Sequence, residues 1–141
     1  MSSAAIDPEF ARQLEATFNG AAYSRLLGIR VREIERDRVV LELPYRPELE
    51  QPAGFVHGGA MASLIDTAAA LALFSGLDQL PQRLATIDLH VHYLGAVRGE
   101  DLVVETRVRQ RGRSIVFLTS EVTTPEGRPV AHGEASFRVV L

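Results

Sequence analysis

From Leu84 onward, apolar and polar residues alternate in four runs: Leu84 to Leu94, Asp101 to Gln110, Ser114 to Thr124 and Pro129 to Val140. A period of two sends every second side chain to one face, so each run predicts a half-buried strand. Gly95 and Gly99, "QRGRS" and "TPEGRP" supply the turns between them, in the pattern of an antiparallel meander. "LGIRVREIERDRVVLELPY" predicts two more strands, joined by a polar turn from Glu35 to Asp37.

Helical signals appear twice. Asp7-Pro8 reads as an N-cap followed by proline at the first helical position, and Phe10, Leu14 and Phe18 form an apolar stripe that ends near Asn19-Gly20. The stretch "GFVHGGAMASLIDTAAALAL" predicts a long helix that is apolar almost all round, entered through the prolines Pro44, Pro47 and Pro52. The order is short helix, two strands, long helix, four strands. It predicts an α+β domain, spanning 1–141, in which an antiparallel sheet of about six strands wraps one helix.

Composition narrows the chemistry. The chain has 141 residues, a net charge of −3 and no cysteine, so thiolate metal sites and Cys nucleophiles are excluded. All 15 basic residues are arginine, which excludes Schiff-base chemistry. The weakly acidic total argues against nucleic acid as a partner. The longest apolar run, Ala60 to Phe74, is too short for a bilayer and holds a carboxylate, and the N-terminus lacks a secretory pattern. The expectation is a cytoplasmic protein with no membrane partner.

That carboxylate is Asp66. With Ser63 and Thr67 it stands at i, i+3 and i+4, so three small polar residues share one helix face. A buried, unpaired carboxylate is costly, so Asp66 either bonds to Ser63, Thr67 or an arginine of the sheet, or faces a cavity that uses its charge. At the helix start, Gly58 and Gly59 would let a ligand oxygen approach unpaired N–H groups at the positive end of the dipole; alternatively they only permit a tight turn. Gly58 and Asp66 lie eight residues apart, about 12 Å along a helix. One reacting atom must sit about 3 Å from both its oxyanion donor and its base or nucleophile. One helix cannot present both groups to that atom, but two helices packed antiparallel across a two-fold axis can. A catalytic site here therefore requires at least a dimer.

These residues carry a resemblance. "VHGGAMASLIDTAAALA" resembles the signature of the hotdog-fold acyl-CoA thioesterases, particularly their PaaI-like branch. "LLGIRVREIERDRVVLELP" is similar to that family's opening strands, "ATIDLHVHYL" to the strand after the helix, and "QRGRSIVFLTSEV" with "GRPVAHGEASFRV" to its closing hairpin. The resemblance implies hydrolysis of a small aromatic or short- to medium-chain acyl-CoA without a cofactor, at sites between subunits of a dimer or tetramer. It implies that the Gly58 N–H polarises the thioester carbonyl and that Asp66 is nucleophile or general base. Gln51 would touch the thioester, Thr86 would orient water or the carboxylate, and His57 would brace the loop. Gly59, Ser63 and Thr67 would line the substrate site. A hydratase or dehydratase, or a non-catalytic acyl-CoA-binding protein of the same fold, is the alternative.

Two further groups stand out. Arg107, Arg109, Arg111 and Arg113 alternate around Gly112, which predicts a one-faced basic patch in which Arg111 and Arg113 meet the phosphates of coenzyme A; the alternative is a solvated hairpin end. His90 and His92, with Asp88 in phase, could offer metal ligands, but a surface or interface role is preferred and no metal is expected.

Overall fold

A computed structural model describes residues 4–141. Helix α1 spans Pro8–Gly20; the Asp7 carboxylate caps it by accepting the Phe10 N–H at 3.3 Å, as the proline start predicts. A second short helix, α2, Ala22–Leu27, follows at once and was not expected. It has no side-chain cap and too few residues to show a periodicity. Strands β1 (Arg30–Glu35) and β2 (Arg38–Leu43) form a hairpin whose turn places Asp37 at φ 63°. The long helix α3 runs Gly58–Ser75, and β3 (Arg83–Tyr93), β4 (Leu102–Arg111), β5 (Ile115–Thr123) and β6 (Pro129–Val140) follow.

All six strands join one antiparallel sheet, but not as a simple meander. The order is β1-β2-β4-β5-β6-β3. The chain crosses the sheet with α3, so β3 lands at the far edge and pairs only with β6, while β4 returns beside β2. Sheet and central helix together make the expected hotdog fold.

The helix is held by apolar burial. Leu64, Ile65, Ala68, Ala69, Leu71 and Ala72 are fully buried beneath the strands, where Val39, Leu41, Val104, Val116 and Val122 are equally enclosed. Gly133 of β6 allows the close approach, because a Cβ there would stand 2.8 Å from Ile65. By length and composition α3 could cross a bilayer, yet 56% of it is buried inside the fold, which accounts for its apolarity.

Candidate active site

One stripe of α3 escapes the sheet. Ala62, Ser63, Asp66, Thr67 and Ala70 are half-buried, flanked on the other side of the helix by fully buried neighbours. The predicted polar face is therefore the face that the chain's own sheet leaves open. Asp66 is neither free nor paired with an arginine: Thr86 Oγ1 donates to Asp66 Oδ1 at 2.9 Å. This contact depends on an irregularity in β3. Leu89 faces the core opposite Ala135, and strict alternation would turn Thr86 to the outer face. The register shifts between Thr86 and Asp88, so Thr86 instead pairs with the buried Phe137 on the helix side. The extra residue is Ile87, which is 53% exposed.

The start of α3 separates its two glycines. His57 is the N-cap, and its Nδ1 accepts the Gly59 N–H at 2.7 Å. That bond fixes the ring's acceptor nitrogen and uses the Gly59 donor. The Gly58 N–H has no acceptor among the described residues. Of the two amides in the expected pair, Gly58 is the available donor. The glycines also serve packing: a Cβ at Gly58 would lie 3.1 Å from the Tyr93 ring. Tyr93 donates its OH to the Gly58 carbonyl at 2.7 Å and thereby clamps the first turn.

Gln51 reaches this end of the helix because its loop is tied at both sides. Its N–H donates to Phe55 O at 2.8 Å, and the His57 N–H donates to Leu49 O at 2.7 Å. Its side-chain oxygen accepts the Ala53 N–H, which leaves the amide NH2 free of partners among the described residues. Gln51, Phe55, Gly58, Met61 and Tyr93 line an open cleft of about 420 Å³. On the other side of the helix start, His57, Gly59 and Ser63 share a smaller hollow of about 200 Å³ with Tyr23. The hydroxyls of Tyr23 and Ser63 are 2.7 Å apart, and Ser63 donates to Gly59 O at 2.9 Å. Neither tyrosine was foreseen. Tyr93 does close the "HVHY" strand in phase with Val91, but nothing in its spacing links it to the glycines.

The structure thus gathers the expected residues into two groups on one helix. Gly58, Gln51 and His57 stand at its start, and Asp66, Thr86 and Thr67 two turns further on. The one-faced arginine patch does not form. A register shift between Val108 and Gln110 turns Arg111 to the helix side, opposite the buried Val116, where it donates to Asp37 Oδ1 at 2.6 Å and Leu73 O at 3.1 Å. Arg107 and Arg109 stay on the outer face, bonded to Glu105 and Thr119, and Arg113 is exposed in the turn. His90 and His92 stack with ring centroids 4.8 Å apart. No cluster of three metal-ligating side chains exists among the described residues.

Comparison with known proteins bears on the family and the fold. The chain belongs to the thioesterase superfamily, whose sequence profile matches residues 53–131, a stretch that runs from the loop before α3 into β6. A protein of Halobacterium salinarum named "Putative esterase" is 38% identical over 123 residues, covering 80% of this chain and 81% of its own. The medium/long-chain acyl-CoA thioesterase YigI of Escherichia coli (strain K12) is 28% identical over 131 residues, covering 83% and 84%. The solved structure of the E. coli PaaI protein, from the phenylacetic acid degradation operon, superposes with a TM-score of 0.84 at 21% identity over 94% of this chain and 95% of its own. These relatives are spread across the superfamily rather than confined to the PaaI-like branch.

Proposed function

We propose that the protein hydrolyses acyl-CoA thioesters, releasing a carboxylic acid and free coenzyme A, at sites built between two copies of the chain. The observation that carries this reading is the division of α3 into two half-sites. The free Gly58 amide with Gln51 lies at one end, and the Asp66–Thr86 pair lies eight residues away, about 12 Å along the axis. Antiparallel helices in a two-fold dimer would bring one copy's Gly58 opposite its partner's Asp66. The open face of α3 suits that packing because its residues are small. The 11-residue edge strand β3, with Ile87 exposed, suits pairing with a second copy. A tetramer is the further assembly we favour, and the cytoplasm the compartment.

In this scheme the thioester oxygen meets the Gly58 N–H and the positive helix end while Gln51 steadies the thioester. Asp66 of the other copy, held by Thr86, either takes a proton from a water that attacks the carbonyl carbon, or attacks that carbon itself to form an acyl anhydride that water then hydrolyses, freeing the acid and Asp66. The thiolate of coenzyme A leaves and is protonated. The donor and the carboxylate each lower the barrier by about 2–4 kcal/mol. Small aromatic and short- to medium-chain acyl groups fit a cleft of about 420 Å³ that Phe55 and Tyr93 help to line. Thiol release from a panel of acyl-CoAs tests the reading. Hydrolysis that peaks within this class supports it, and coenzyme A binding without thiol release overturns it.

A further inference from the structure

We propose that the cleft between α2, the start of β1 and the segment after β2 binds a phosphate group. The cleft, of about 540 Å³, is lined by Arg25, Arg30 and Arg46 together with Asn19 and Gly28. Elsewhere arginines meet carboxylates closely: Arg38, Arg111 and Arg128 pair at 2.6–2.7 Å. Arg25, Arg30 and Arg46 have no ion pair among the described residues, and Glu42, in register opposite Arg30, pairs instead with Arg32 at 3.8 Å. Three positive charges therefore line one cleft, Arg46 bonded only to a backbone carbonyl, and an anion there would offset this local excess of one sign.

Arg46 is already fixed in place. Its Nη2 donates to the Leu26 carbonyl at the end of α2, and the guanidinium lies 3.8 Å from where a Cβ of Gly28 would be. Its Nε is enclosed and has no acceptor among the described residues, an unfavourable state for a charged group that a neighbouring anion would offset. Asn19 accepts the Val31 N–H at 2.9 Å through Oδ1, so its NH2 is the end without a partner among the described residues. The polar side chains lining the cleft thus present N–H donors.

The charge decides the ligand class. A carboxylate is satisfied by one guanidinium fork, whereas three forks match a phosphate, with its two negative charges and several acceptor oxygens. The hollow on the outer sheet face makes the contrast. It is of similar size, about 440 Å³, but its Asp88 already accepts from Ser136 and its Arg109 already donates to Thr119.

The proposal stands apart from thioester hydrolysis, since it concerns binding alone. The phosphates of coenzyme A and a free phosphorylated small molecule are the two sources. Calorimetric titration of the protein with inorganic phosphate, and separately with coenzyme A, tests it at constant ionic strength set with chloride. Both Arg25 and Arg30 are exposed, so R25A/R30A should fold normally. The expected result is saturable phosphate binding that weakens at least about 30-fold in R25A/R30A and less in R25K/R30K. Coenzyme A affinity falling in parallel assigns the site to that molecule; coenzyme A affinity unchanged while phosphate affinity falls assigns it to a separate ligand. The wild-type protein gives a second readout, a Tm that rises in phosphate relative to chloride. No such rise, or equal phosphate affinity in wild type and R25A/R30A, overturns the proposal.

Discussion

Two β-bulges aim side chains at the same helix, with opposite outcomes. At Ile87 the slip in β3 turns Thr86 onto the middle of α3, where it bonds Asp66 on the face the sheet leaves open. In β4 the slip between Val108 and Gln110 turns Arg111 onto the end of α3. There it caps the Leu73 carbonyl and pairs with Asp37, with only 18% and 21% of the two side chains exposed. A cation at a helix C-terminus meets the negative end of the dipole, so Arg111 closes the helix. The Asp37 N–H adds to that closure by donating to the Ser75 hydroxyl at 2.9 Å. One device thus yields a half-exposed polar pair suited to chemistry, and an enclosed ion pair suited to stability. Which one results depends on what covers the helix at that point.

Breaking the open pair should give the largest effect. Asp66→Ala and Asp66→Asn should each lower kcat by about 10²–10⁴-fold while circular dichroism shows the fold intact. Near wild-type turnover in both variants would remove Asp66 from the reaction. Breaking the enclosed pair should act on stability instead. Arg111→Ala leaves the enclosed Asp37 carboxylate without its cation and the Leu73 carbonyl with only the Gly76 N–H, and should destabilise the chain by about 2 kcal/mol in denaturant titration. Its turnover per folded molecule should fall far less than that of the Asp66 variants. Thr86→Val keeps the shape and deletes the hydroxyl. It should reduce kcat about tenfold with little change in Tm, the reverse of Arg111→Ala.

The smallest effect lies on the outer face of β4, before its bulge. Arg38 donates to Glu105 twice, at 2.7 and 2.9 Å, and holds its carboxyl below the usual glutamate range. A folded-state value below the unfolded one means that this pair stabilises above the ordinary glutamate range. That stability is lost as pH falls through the lowered value. Glu105→Gln should therefore flatten the acid side of the stability–pH curve. The change should stay below about 1 kcal/mol, because the carboxylate is 37% exposed and screened by solvent.

This contrast also explains what was legible in the sequence. The strands and α3 were readable because their periods are clean and their ends are marked by Gly, Pro or a polar turn. The polar stripe of α3 was readable because i, i+3 and i+4 share a face whatever surrounds them. Sheet order was not, since nothing local says that β3 pairs with β6 across the fold. The arginine patch was misread for a sharper reason. Strict alternation holds only without a bulge, and one extra residue moved Arg111 from the outer face to the core side. The same phase reading would have misplaced Thr86; resemblance to a family, which carries the bulge implicitly, placed it beside Asp66. Tyr93 and Tyr23 escaped because their partners, Gly58 and Ser63, lie 35 and 40 residues away.

Mixing two inactive variants tests the shared site most directly. Asp66→Ala removes the acid from one half-site. Gly58→Pro, made with Tyr93→Ala because its Cβ would stand 3.1 Å from the Tyr93 ring, removes the amide from the other, at a first helical position where proline suits the backbone and after a His57 already extended at ψ 135°. Unfolded and refolded together, they should regain about a quarter of wild-type thioesterase activity, because half of the two-fold dimers are mixed and each holds one intact site. A mixture as inactive as its two components, although mass measurement shows mixed dimers, would contradict a site built from two chains.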